Sequence, residues 1–194
     1  MHTAKESLDR LRKYIEKDNF IGYDPYDTLN SPLPFGFIGS WGKILAIQFQ
    51  KRNPVNIRPL IGIRKKANPN STALLLQGYI ELSRREATHA YADQIEYLYH
   101  ELINTQSKGF HGSCWGYSFA WATSEKFLPA NAPNIVATAA AVRALLAYSQ
   151  YRNNKDAESL IHSAAVFVMQ DLQREENDAG VFFSYTPFRK DCVY

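Results

Sequence analysis

Two aspartates three positions apart, Asp24 and Asp27 in the segment DPYD, are the most direct candidates for acid–base chemistry in this chain. Glycoside hydrolysis uses two carboxyl groups placed across one glycosidic bond, one as acid and the other as base or nucleophile. The pair serves that purpose only if both side chains enter one cavity. The competing structural reading has Asp24 opening a turn before Pro25 and Asp27 capping a local backbone group. If one of them acts on a sugar, Asp27 is preferred, because Tyr26 and Thr28 flank it. His111 is a third candidate, since an unperturbed imidazole titrates near ~6.5; a loop histidine hydrogen-bonded for structure is the alternative. Cys114 has no assignable histidine with an orienting partner and reads as a small buried thiol.

The segment 108–133, KGFHGSCWGYSFAWATSEKFLPANAP, surrounds His111 and Cys114 with aromatic residues. An ordinary surface connection is short and polar. Loops this long are functional or disordered, and so many rings argue against disorder. A sugar offers an apolar C–H face to such rings and hydroxyls to nearby polar groups. Trp115, Tyr117 and Trp121 are the binding candidates, with core packing of the loop as their alternative. Arg58 and Arg64 suit a phosphate or carboxylate on an activated or acidic sugar, against loop-to-helix bonding for Arg58 and plain solvent exposure for Arg64. Tyr185, in SYTP, can line the same opening.

Helices must position these residues. Thr3 and Glu6 have capping-box spacing, and Leu8, Leu11 and Ile15 form one apolar stripe. A turn-rich segment, 22–36, precedes a second helix over 41–52, and 53–68 is irregular. Asn68–Pro69 is a helix entry, a capping side chain followed by proline in the first turn; that helix runs to about Arg85. Thr88 is expected to cap the next, to about Gln106. Residues 134–151 are apolar nearly all round, with Arg143 the lone charge, to be paired or extended to water if buried. Residues 156–174 are amphipathic, 178–180 form a turn, and VFFSY is a short extended piece.

A largely apolar helix is thus twice followed by an amphipathic one. A helix apolar on every side is buried on every side, and an amphipathic one covers it. The pattern predicts an all-α fold of concentric layers, an (α/α) toroid or part of one, in a single domain over residues 1–194. An α-solenoid competes, but no fixed-period repeat is present. Each hairpin takes about 40–50 residues, so the chain holds about three, where a closed six-hairpin ring takes roughly 300 residues. The expectation is an N-terminal half of a longer toroid, ending abruptly at KDCVY, whose unpaired inner surface is sticky and prone to self-association.

Composition narrows the class. Of 194 residues, 45% are hydrophobic and 21% charged, as in ordinary globular proteins. The net charge of +3 is spread out, with 64–66 the nearest thing to a basic block, which argues against nucleic acid. Two cysteines, Cys114 and Cys192, make no disulfide framework, and no metal-ligand spacing is present; neither metal nor cofactor is expected. The first ten residues hold no apolar secretion signal, and the most apolar run, 135–148, is too short to span a bilayer. The default is a cytoplasmic protein without a transmembrane segment.

Five segments follow one another in order: GYDPYDTLNSPL, KRNPVNIRPLIGI, GSCWGYSFAW, PNIVATAAAVRALL and FSYTP. With them the chain resembles the VpsJ-like polysaccharide biosynthesis proteins, which are similar to the six-hairpin glycosidase superfamily. The resemblance covers this whole chain but only about the first half of such a protein. It implies an (α/α) toroid and a role in making or modifying an exopolysaccharide or surface glycan. The family pattern follows its aromatic motif with an acidic residue, a tryptophan and an amide. Here those positions are Ala120, Trp121 and Ala122, so the aromatic frame stays and two polar groups are missing.

Three functions are compatible with these residues. The first is a carbohydrate-active or carbohydrate-binding protein with a sugar or oligosaccharide in an aromatic-lined cleft; if it is an enzyme, glycoside hydrolase-like chemistry follows by analogy. The second is a glycan-binding scaffold without catalysis, which Ala120 and Ala122 favour. The third is a helical protein-interaction module.

Overall fold

The computed structural model describes residues 3–122 and 127–188. The chain end KDCVY, with Cys192, lies outside the described residues, as do four residues of the aromatic segment. The fold is largely helical. Its helices are α1 (Ala4–Lys17), α2 (Gly39–Arg52), α3 (Pro69–Arg85), α4 (Ala92–Asn104), α5 (Ile135–Arg152) and α6 (Lys155–Gln170). Two short 3-10 turns, Asp27–Asn30 and Phe35–Ile38, and two antiparallel ribbons, β1 (Trp121–Ala122) with β2 (Phe127–Leu128) and β3 (Arg174–Asn177) with β4 (Gly180–Phe183), accompany them among the described residues.

Local chemistry sets most helix ends. Thr3 and Glu6 close a reciprocal capping box on α1. The side-chain oxygens of Asn68, Asn134 and Asn154 accept first-turn amides of α3, α5 and α6. Asn153 takes a left-handed conformation, φ 52°, which ends α5 and turns the chain directly into α6. Thr88 does not cap α4: its hydroxyl accepts the amide of Ala90, and the helix starts four residues later without a side-chain cap. The sixth helix stops at Gln170, short of the expected 174, because Arg174 is taken into the β3–β4 ribbon.

The core forms where α3, α4, α5 and α6 meet. Leu76, Ile80, Ile95, Leu98, Leu102 and Leu145 are fully buried, with Ala137, Ala141 and Ala144 on the buried face of α5. Those small residues let the α3 and α5 backbones lie close, and this is the most extensive helix contact in the fold. The two helices are parallel. Their first turns meet at one rim, where Ser71 and Tyr185 share a cleft. Near the far ends, the hydroxyls of Ser83 and Tyr151 are 2.8 Å apart. Helix α4 runs antiparallel to them and packs against both. Tyr99 stacks on Tyr148 at 3.8 Å, and Glu96 accepts from Tyr148 and Arg152. The chain therefore builds two hairpins, α3–α4 and α5–α6, whose first helices are neighbours.

The expectation that α5 is buried on every side is corrected. Val136, Arg143 and Leu146 are exposed along one stripe, and α3 shows a matching one at Ser71, Leu74, Gly78, Glu81 and Arg85. Arg143 thus reaches water and needs no buried partner.

Helix α1 lies antiparallel to α3, joined by polar bonds. Glu16 accepts the Tyr79 hydroxyl proton at 2.7 Å, and Arg12 donates to the Tyr91 oxygen at 2.7 Å. Burial pushes the Tyr79 phenol well above its ordinary value, reinforced by the bond to Glu16. Because α1 ends beside the start of α3, the DPYD turn emerges at that rim. Strict alternation of helices would have put it at the opposite one. The excursion through α2 leaves and returns to the same place, with Gly22 and Lys66 bridging as an antiparallel pair.

Candidate functional site

The segment after α4 is pinned from several sides. The Ser107 amide donates to the Cys114 carbonyl, the Asn134 amide to Trp115, and the Asn131 amide to Tyr117. Two glycines permit close backbone approach. A Cβ on Gly116 would collide with the Ala132 carbonyl, and one on Gly112 with the backbone of Ser163 and Phe167 in α6. Thus the WGY motif is first a packing device.

Trp115 belongs to that device and not to a binding surface, which corrects the expectation of ligand contact. Its side chain is fully buried, and the indole N–H donates to the Leu102 carbonyl at 2.7 Å. Its amide donates to the Thr138 hydroxyl. Beyond Trp115 the rings reach the rim. Tyr117 and Phe119 lie parallel at 5.3 Å, and Tyr26 stacks on Phe119 at 6.4 Å. Trp121 and Tyr185 complete the wall, the Tyr185 hydroxyl lying 3.4 Å from that of Tyr117. These rings, with Asp24, Asn68, Asn70 and Ser71, enclose a cleft of about 380 Å³ at the starts of α3 and α5. That is within the size range of small-molecule sites.

Among the described residues, Asp24 is the carboxylate in the wall of this cleft. It accepts from the Tyr26 amide at 3.0 Å and the Asn68 side-chain amide at 3.2 Å. Burial pushes its pKa above the usual aspartate value, and the neighbouring Asp27 charge adds to the rise, against the opposing pull of the Tyr26 amide. A half-buried carboxyl that holds its proton longer than usual can donate to or accept from a hydroxyl.

Asp27 has a different role. It is nearly sealed and bonded to Arg58 Nε at 2.8 Å, while its other oxygen accepts the Asp24 amide at 3.0 Å. Arg58 also donates to the Asp24 carbonyl at 3.0 Å and lies over the Tyr23 ring. The ion pair clamps the DPYD turn and leaves neither group aimed into the aromatic cleft, so the preferred catalytic aspartate and one candidate anion ligand become the frame of the turn. Arg64 lies in a second cavity, of about 270 Å³, which shares Asp24, Asn68 and Ser71 with the first.

His111 lines neither cavity. It is exposed near the end of α6, its Nδ1 2.8 Å from Asp171, whose other oxygen accepts the His111 amide. Close by, burial pushes the Cys114 thiol up to about 12, with Asp171 contributing, so it stays protonated and unreactive.

Of the sequence candidates, then, Asp24, Tyr117, Trp121 and Tyr185 meet in one cleft, and Arg64 is next door. Tyr26, Phe119, Asn68 and Asn70 also line it. Tyr26 and Phe119 carried an aromatic signal; Asn68 was legible only as a cap. Among the described residues, no group of three His, Cys, Asp or Glu is placed to hold a metal. No helix among them is long and apolar enough to cross a membrane. The chain matches no protein-family model, no curated protein and no solved structure.

Proposed function

We propose that this chain binds a saccharide in the aromatic cleft, as a component of polysaccharide synthesis or modification, and that its hairpins are consecutive segments of an (α/α) toroid. The observation that carries the reading is the convergence of five rings on one half-buried carboxyl and two asparagines. Rings supply the apolar faces that pyranose C–H groups stack on; Asp24, Asn68 and Asn70 supply donors and acceptors for hydroxyls. The toroid is supported by the parallel α3 and α5, each followed by an antiparallel helix.

Binding is favoured over two-carboxylate hydrolysis. Among the described residues of this wall Asp24 is the one carboxylate, and Asp27, its obvious partner, is committed to Arg58. One acid can orient a hydroxyl or protonate a leaving oxygen, but the two-group mechanism needs a second across the bond. The test is a glycan array followed by titration of the hits. Trp121→Ala and Tyr26→Ala should each weaken binding by about tenfold, the loss of one stacked ring. Array hits whose affinity both variants leave unchanged would remove the cleft from consideration.

An interaction module is the second reading, favoured by a stripe on α2. Trp41, Leu45 and Phe49 recur every four residues and are each more than 60% exposed. Light scattering over a concentration series tests it: self-association abolished by Leu45→Lys supports it, and a monomer at every concentration removes the self-associating form.

A further inference from the structure

The smaller cavity differs in chemistry from the aromatic one it adjoins. Its wall carries Arg64, Lys65 and Lys66, and the acids that face it are Asp18, Asp24 and Asp27. Two of those acids are already matched: Lys65 Nζ sits 2.6 Å from Asp18, and Arg58 holds Asp27. The side chains of Arg64 and Lys66 form no ion pair among the described residues and are exposed at the cavity wall. Asp24 stands at the junction, hydrogen-bonded to Asn68 and Tyr26 rather than to a cation. The first turn of α3 also presents its positive end to this junction through Ser71, since Pro69 carries no N–H and the Asn70 amide is held by Asn68.

We propose that the bound saccharide is acidic. Its carboxylate lies against Arg64 and Lys66 in the smaller compartment, and the sugar ring or its neighbour packs on Tyr117 and Trp121 across Asp24. This deepens the saccharide reading and rests on it. Two cations that form no ion pair among the described residues, beside a ring-lined cleft, ask for a ligand with an anionic group on a flat apolar body, and a uronate residue within an oligosaccharide has that form. The guanidinium can take the carboxylate in two parallel hydrogen bonds, and the lysine adds a mobile charge. Both compartments together have room for more than one sugar ring, so a disaccharide fits.

The experiment uses uronate-containing oligosaccharides, each paired with its carboxyl-reduced, neutral counterpart of the same linkage. Affinities are measured by titration calorimetry for wild type, Arg64→Ala/Lys66→Ala and Trp121→Ala, at low and high salt. The acidic member should bind about tenfold tighter than its neutral counterpart at low salt and lose that advantage as salt is added. The double variant should bring the acidic member down to the neutral level, while Trp121→Ala weakens both members alike. If the neutral members bind as tightly and the double variant changes nothing, the acidic assignment is overturned while the aromatic cleft stands. If no member binds wild type, both are overturned.

Discussion

Exchanging Trp115 for phenylalanine separates a core tryptophan from a sugar-stacking one. The indole is fully buried at the junction of α4, α5 and the aromatic segment. Phenylalanine would leave roughly 40 Å³ unfilled, which at ~24 cal/mol per Å³ costs about 1 kcal/mol. Removing the indole hydrogen bond costs about 1 kcal/mol more. The Leu102 carbonyl keeps the Thr105 hydroxyl as a donor at 3.0 Å, so it is not orphaned and the penalty stays at that level. Lost burial of the deleted apolar atoms adds about another 1 kcal/mol. The sum, about 3 kcal/mol, lowers Tm by roughly 6–12 °C for a chain of this size. Calorimetric melting reads that directly. At a temperature where the variant is folded, its glycan affinity should match wild type. A shift under about 2 °C, or a folded variant that selectively loses glycan binding, would refute the assignment of Trp115 to the core.

Other expectations follow from the same contacts. Gly112→Ala should cost at least about 2 kcal/mol, because the new methyl meets α6 backbone that cannot swing aside. Gly78→Ala, in the open middle of α3, should instead stabilise by roughly 0.5–1 kcal/mol; urea denaturation of the two variants tests the contrast, and equal effects would contradict it. Arg58→Met leaves the Asp27 carboxylate buried without its partner and should cost about 2–4 kcal/mol, most of it recovered on adding Asp27→Asn; a double-mutant cycle without coupling would reject the clamp. The raised Asp24 pKa means that the native state binds this proton more strongly than the unfolded chain. Stability therefore falls as pH rises from the ordinary aspartate value through the raised one. Asp24→Asn should remove that fall, gaining on wild type above the interval and equalling it below; Tm profiles from about pH 3 to pH 7 that run parallel would exclude the effect.

Much of the helical frame was legible in the residues, because caps and periodicity act locally. Thr3 and Asn68, read as caps from local spacing, start their helices by accepting amides three and two positions away. The apolar spacing of α3 and α5 likewise marked them as the helices that meet at the centre. Where two local patterns compete for the same residue, reading fails: the Thr88 hydroxyl took the Ala90 amide instead of capping α4, and Arg174 joined a hairpin ribbon instead of prolonging α6.

The site divides along the same line. Its ingredients, an aromatic-rich segment and an aspartate in a turn, were visible as residue types. Which ring faces water was not, because Trp115 and Trp121 stand six positions apart in one irregular segment with no period to orient them. The Leu102 carbonyl and the Thr138 hydroxyl draw the first inward. The pairing of the second at β1 leaves it at the rim. Nor could spacing tell Asp24 from Asp27. That choice was made by Arg58, thirty-one residues from Asp27 along the chain, whose guanidinium closed on one carboxyl and left the other facing the cleft.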